Sequence, residues 1–202
     1  IFIGVGGGVN IYHGNSEKGR SIDRILAPAL DISLGKWITP SVGVRLHYAG
    51  LNAKGWTDSR SAYATGTPTA SGIYHEKFNV SNLHGDFLWN ISNALGGYNA
   101  KRVWSFIPYV GLGWGRSSEN GTHANEIAAT VGLLNNLRIC DALDLTLEAR
   151  HLFVNDRFDG VVRGSAYEGM WSVTAGLSFK FNRRGFKRAP QVVVPDYTPY
   201  TN

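Results

Sequence analysis

Residues Leu143–Phe153 read LDLTLEARHLF, and their alternation decides the fold. Leu143, Leu145, Leu147, Ala149, His151 and Phe153 fall on one face of an extended chain, with Asp144, Thr146, Glu148, Arg150 and Leu152 on the other. Successive side chains point to opposite faces in a strand, so a period of two marks β-structure. Met170–Phe181 repeats it, setting Trp171, Val173, Ala175, Leu177, Phe179 and Phe181 against Ser172, Thr174, Gly176, Ser178 and Lys180. Val42–Tyr48 does so again, with Val42, Val44, Leu46 and Tyr48 against Gly43, Arg45 and His47. Five further segments, Ile1–Tyr12, Leu26–Gly35, Ser81–Ile91, Trp104–Trp114 and Glu126–Leu137, alternate in the same way. The expectation is eight strands and no helix.

Composition narrows the class. The chain has 202 residues, of which 43% are hydrophobic and 17% charged, with 25 Gly. Charge lies below the roughly 25% of ordinary soluble domains. No run approaches the roughly 18 uninterrupted apolar residues of a membrane-spanning helix, which excludes a helical membrane protein. Cys140 is the single cysteine, so neither an intrachain disulfide nor a cysteine zinc site staples the fold. The net charge is +5, but residues 182–202 carry Arg183, Arg184, Lys187 and Arg188 against Asp196. The basic excess is therefore a short tail rather than a folded face, which argues against nucleic acid as a partner.

The polar face decides which way the sheet is turned. Opposite the large apolar residues stand mostly Gly, Ser, Thr and Asn, with a few charges of both signs: Asp31, Arg45, Asp86, Glu148, Arg150 and Lys180. A soluble exterior is normally dense in Lys and Glu. Small residues with compensating charges suit the narrow bore of an eight-stranded barrel. The apolar face then meets lipid. The tryptophans fit this reading: Trp37, Trp89 and Trp104 lie at strand ends near the short connections, Trp114 and Trp171 near the long ones, and Trp56 in a loop. Indoles prefer the membrane–water interfaces, so two aromatic girdles are expected. Pro108, on the apolar face, removes a ladder donor and predicts a bulge or local distortion.

An unpaired sheet edge is costly in lipid, so Ile1–Tyr12 and Met170–Phe181 should pair and close the barrel. Connections alternate in length: Trp37–Ser41, Ser92–Arg102 and Cys140–Ala142 are short to moderate, while His13–Arg24, Ala49–Lys77, Arg116–Asn125 and Asn155–Gly169 are longer. That alternation predicts an up-and-down meander, an all-β antiparallel transmembrane barrel over residues 1–181. Residues 182–202 read as a basic, Pro-containing linker.

Four stretches resemble the N-terminal membrane barrel of the OmpA family: IFIGVGGGVNIYHG (Ile1–Gly14), LAPALDISLGKWITPSVGVRLHYAGLNAKG (Leu26–Gly55), NLHGDFLWNISN (Asn82–Asn93) and GLSFKFNRRGFKRAP (Gly176–Pro190). The resemblance implies the outer membrane of a Gram-negative bacterium, long loops outside and both termini periplasmic. It also implies that the linker leads to a peptidoglycan-binding domain not contained in these residues, and that Phe179 and Phe181 form the aromatic ending read by the insertion machinery.

Chemical motifs are sparse. Gly4–Val9 falls short of a dinucleotide fingerprint because Val9 stands at the third glycine position and a strand runs through it. The six histidines show no metal-ligand spacing. His47 and His84 could share the bore, where hydrogen bonding is the simpler role, so neither a metal nor a cofactor is expected. Asn79-Val80-Ser81, Asn90-Ile91-Ser92 and Asn120-Gly121-Thr122 match a glycosylation triplet, a frequent chance pattern. No enzyme is expected. One constellation remains, a lumen network of Asp31, Arg45, His84, Asp86, Glu148, Arg150 and Lys180, paired as a plug or exchanging partners as a gate. The leading expectation is a non-enzymatic outer-membrane anchor. Its alternatives are a small-solute pore and a surface adhesin or receptor acting through loops, especially Ala49–Lys77 with Trp56, Tyr63 and Tyr74. A soluble lipocalin-like carrier is the outside rival.

Overall fold

The computed structural model describes residues 1–13, 26–57, 64–65, 74–119, 122–154 and 168–181. The strands are β1 (Phe2–His13), β2 (Leu26–Trp37), β3 (Val42–Thr57), β4 (Ala64–Thr65), β5 (Tyr74–Trp89), β6 (Trp104–Glu119), β7 (Thr122–Arg138), β8 (Leu143–Val154) and β9 (Glu168–Lys180), with one helix, α1 (Ile91–Gly96). Each long strand pairs antiparallel with its sequence neighbour, β1 pairs with β9 from Phe2↔Lys180 to His13↔Gly169, and β3 pairs directly with β5. The result is a closed eight-stranded up-and-down barrel, with the two-residue β4 a flank on β5. Both described ends meet at the rim of the short connections, where the Phe181 N–H donates to the Ile1 carbonyl at 3.1 Å.

The barrel is turned with its apolar face outward. Leu147, Val173 and Leu177 are 46, 53 and 44% exposed, whereas Glu148 and Arg150 on the alternate positions are 7 and 3% exposed. A soluble carrier would have reversed these values. Burial alternates along β9 from Trp171 onward, where Ser172, Thr174 and Ser178 are buried between exposed neighbours.

Several expectations need correction. β3 and β5 remain paired out to Thr57↔Tyr74, so much of Ala49–Lys77 is strand, including the backbone at Trp56 and Tyr74; Tyr63 lies outside the described residues. Arg116–Asn125 is not a long loop either. β6 and β7 pair out to Glu119↔Thr122 and are separated only by Asn120-Gly121, the dipeptide that two-residue hairpins favour. Pro108 makes no bulge, because the β6–β7 register runs through Pro108↔Leu133 without a break. Instead, the β5–β6 ladder ends at Leu88↔Tyr109, one step before the residue that lacks an N–H to donate.

Beyond that point the chain forms α1, which the strand reading had absorbed in part as Ile91. Asn90 caps it by accepting from the Asn93 N–H at 2.9 Å. The helix is pinned under the rim by Asn93 Nδ2 donating to the Pro40 carbonyl at 2.7 Å and by the Phe106 N–H donating to Ser92 Oγ at 2.9 Å. The linker residues 182–202 lie outside the described residues.

A folded membrane barrel of this kind should migrate differently on SDS gels when unheated and when boiled; identical mobility would contradict it. Leu147→Arg, near the middle of an outward-facing strand, should destabilise the barrel by about 2–4 kcal/mol in a urea titration. Leu95→Arg, on the exposed α1, should change stability by less than about 0.5 kcal/mol.

Candidate functional site: the charged bore

The inward positions of six strands converge at mid-barrel. β2 supplies Asp31, β3 Arg45 and His47, β5 His84 and Asp86, β6 Tyr109, β8 Glu148 and Arg150, and β9 Thr174. All are buried. Register brings part of the group together, since Arg45 pairs with Asp86 and His47 with His84 across β3 and β5. The bore's narrowness does the rest, because these side chains reach the opposite wall.

Arg45 is the hub. Its Nε donates to Asp86 Oδ2 at 2.7 Å, while Nη1 and Nη2 donate to Glu148 Oε2 and Oε1 at 2.8 and 3.0 Å. A guanidinium fork matches a carboxylate in this two-bond geometry, which a lysine could not reproduce. The Tyr109 hydroxyl donates to the same Glu148 Oε1, and its ring lies 4.6 Å from the Arg45 guanidinium carbon. Arg150 forms a second fork, donating to Asp31 at 3.1 and 3.4 Å and lying 3.5 Å from Glu148 Oε1. Thr174 Oγ1 donates to Asp31 Oδ2 at 2.7 Å.

The histidines lie inside this frame. His84 Nδ1 stands 2.6 Å from Asp86 Oδ1, and the His47 and His84 rings are 4.7 Å apart between centroids. His47 Nε2 is 3.3 Å from Arg150 Nη1. Two guanidinium charges face the three carboxylates of Asp31, Asp86 and Glu148, so the cluster carries one net negative charge when both imidazoles are neutral. Among the described residues, two groups of side chains have the donor types and proximity to hold a metal ion: His47, His84 and Asp86, and Asp31, His47 and Glu148.

Glycine makes room for the cluster. A methyl group at Gly111 would collide with Asp86, and one at Gly132 with the Tyr109 ring, so these two wall positions must stay bare. Toward the short-connection rim the bore is narrowed by Phe2, Leu88, Ile107, Tyr109 and Leu134, a buried apolar septum with Trp37 packed against it. Below it opens a vestibule of about 650 Å³, walled in part by Trp37, Asn93, Arg102, Asn136 and Asp144.

Of the sequence candidates, Asp31, Arg45, His84, Asp86, Glu148 and Arg150 come together. Lys180 does not join them: it pairs with Asp144 at 2.7 Å in the vestibule, because β9 carries it to the rim. Trp89, Trp104, Trp114 and Trp171 are exposed on the outer face. Trp37 departs from the expected girdle. It shares its parity with Asp31, Ser33 and Gly35 and turns into the bore mouth, 6.3 Å from the Phe2 ring. The sequence marks His47 only as a bore residue, and Tyr109 and Thr174 carry no signal in it beyond lying on small, polar faces.

No protein-family model matches the sequence. The chain is 28% identical to outer membrane protein 40 of Porphyromonas gingivalis over 97% of its own length and 50% of that protein's. It is 23% identical to outer membrane protein 41 of the same organism over 92% of its length and 49% of the relative's. It thus spans about half the length of these relatives. Among solved structures it is similar to Neisserial surface protein A, with a TM-score of 0.56 at 11% identity, covering 89% of this chain and 96% of that one. Inverted patterning, closure, outward tryptophans and these relatives agree: the chain is an outer-membrane protein of Gram-negative type built on an eight-stranded transmembrane β-barrel, the architecture its OmpA-like stretches imply.

Proposed function

We propose that the barrel is a non-catalytic anchor that fixes the protein in the outer membrane, displays its long connections outside, and leads through residues 182–202 to a periplasmic domain that grips peptidoglycan. The observation that carries this reading is a bore filled at two levels. Its polar centre is buried and mutually paired, and an apolar septum lies between it and the vestibule. Paired forks that join β3 to β8 and β2 to β8 hold together strands far apart in sequence, which suits a plug. The wall contact is supported by the family resemblance and by relatives about twice as long as this chain.

The hairpins β3–β5 and β6–β7 favour a second reading, recognition of ligands at the cell surface. Their strands run to 16 and 17 residues, against the roughly 9–11 that a tilted strand needs to cross the bilayer. The excess projects two ribbons past the membrane, and loops held on a rigid scaffold commonly carry binding function. Removing residues 58–73 should abolish adhesion on this reading, and intact adhesion dismisses it.

Plug and pore are separated in planar bilayers. A plug keeps conductance unchanged in Glu148→Ala and Arg150→Ala, because the septum persists; a sharp rise in either variant favours a gated pore. Glu148→Ala should also cost about 3–5 kcal/mol in urea unfolding, since it leaves Nη1 and Nη2 of the buried Arg45 without their carboxylate. The half-exposed Lys180→Ala should cost under about 1 kcal/mol. The anchoring role predicts that full-length protein pellets with purified peptidoglycan sacculi while residues 1–202 alone stay in solution. Pelleting of residues 1–202 would overturn the assignment of wall contact to a separate domain.

A further inference from the structure

We propose that the bore holds a site for a divalent transition-metal cation of the zinc class, with His47, His84 and Asp86 as its protein ligands. The inference is independent of the anchoring role.

Topology builds the set. His47 and His84 are register partners on β3 and β5, and Asp86 lies two residues beyond His84 on the same face, so a single pair of strands presents all three side chains inward. Each offers a donor atom within 4.8 Å of the other two. Tetrahedral coordination at bond lengths of about 2.0–2.1 Å sets donor atoms about 3.3 Å apart, so closing the site asks for donor shifts of about 1.5 Å at most and exchange of the His84–Asp86 contact for the ion.

Three observations point to a cation rather than to packing. First, the imidazoles are 1% exposed and Asp86 4%, yet His47 Nδ1 and His84 Nε2 have no hydrogen-bond partner. Buried ring nitrogens are ordinarily satisfied, and a cation reached by His47 Nδ1, Asp86 and the His84 Nδ1 that now stands 2.6 Å from Asp86 Oδ1 would satisfy the His47 nitrogen. Second, His47 Nδ1 looks toward acid, lying 3.8 Å from Asp86 Oδ2 and 3.6 Å from Glu148 Oε1. Third, three carboxylates face two guanidiniums, which leaves negative charge in the cluster for a cation to offset.

The donor chemistry narrows the ion. Two imidazoles and one carboxylate suit zinc and its neighbours, whereas magnesium and calcium prefer all-oxygen sets. Arg45, already bonded to Asp86 Oδ2, would orient that carboxylate from behind, as outer-shell partners of metal ligands do. The rival trio of Asp31, His47 and Glu148 is less suited, because both of its carboxylates are already engaged by guanidinium forks, Asp31 by Arg150 and Glu148 by Arg45.

The test uses the untagged chain, stripped with chelator, refolded into detergent micelles with Co²⁺ and desalted. The site predicts one retained equivalent, the intense visible absorption of four-coordinate cobalt, and displacement by Zn²⁺. His84→Phe, which keeps an aromatic ring in the bore, should weaken retention by at least about 100-fold. His151→Phe, on the outer face, should leave it unchanged. Heat-modifiable gel mobility reports whether each variant folds. Should His84→Phe fail to fold, zinc-edge X-ray absorption of the wild-type protein decides, with two imidazoles in the coordination shell expected. No retained metal, retention equal in folded His84→Phe, or a shell without imidazole pairs would each overturn the site.

Discussion

Every peptide group in hydrocarbon must find its hydrogen-bond partner within the protein, and the rest of this structure depends on that constraint. An open sheet would leave two rows of orphan donors and acceptors at several kcal/mol apiece. The chain therefore spends its last strand on its first: β9 pairs with β1 over twelve positions and with β8 over twelve more. Closure at eight strands fixes everything downstream. It returns both described ends to one rim, turns alternate side chains to lipid, and leaves a bore too narrow for bulk water around each charge.

A narrow bore explains the form of the charged cluster. Charges so confined stay ionised only beside partners, and the planar fork of arginine engages two oxygens at once while reaching across the barrel. Arg45 and Arg150 do so from β3 and β8, and they bind carboxylates more than a hundred residues away in sequence. The glycines opposite give up side chains so that Asp86 and Tyr109 can lie flat in the interior. Below the ions the interior changes character: Phe2, Leu88, Ile107 and Leu134 are buried apolar residues on strands whose adjoining inward positions are glycine or polar. One cylinder thus carries an ionic brace and an apolar septum in series.

How much of this was legible in the sequence follows from range. Strand alternation is a property of neighbouring residues, so strand positions, inside and outside faces, and the β1–β9 closure could be read from residues such as Leu143–Phe153 and Met170–Lys180. The six-residue α1 is too short for a helical period to emerge, and only its cap, Asn90, could have flagged it. The β6–β7 hairpin was hidden by polar residues that look like loop, although Asn120-Gly121 carried the signal. Trp37 was misplaced because position along the chain was weighed without parity. Within the cluster, residue type and face identified six members, but which carboxylate each arginine would choose depends on distances across the bore. Such distances are set by closure and have no local trace. The same holds for His47 and His84, whose spacing along the chain resembles no metal motif while their register makes them neighbours.

The relatives share an outer-membrane setting, and one fold supports many roles there, so role must be argued from bore, hairpins and tail rather than from the barrel itself. All three arguments rest on which way the wall is turned. Spin-label accessibility along β9 measures that directly, using single cysteines introduced into a Cys140→Ser background and the folded barrel in lipid bilayers. Labels at Val173, Ala175 and Leu177 should relax with oxygen dissolved in the hydrocarbon, and labels at Ser172, Thr174 and Ser178 should be shielded from it. Oxygen access with the opposite parity, or access of a water-soluble relaxer to Val173, Ala175 and Leu177, would contradict the inverted barrel.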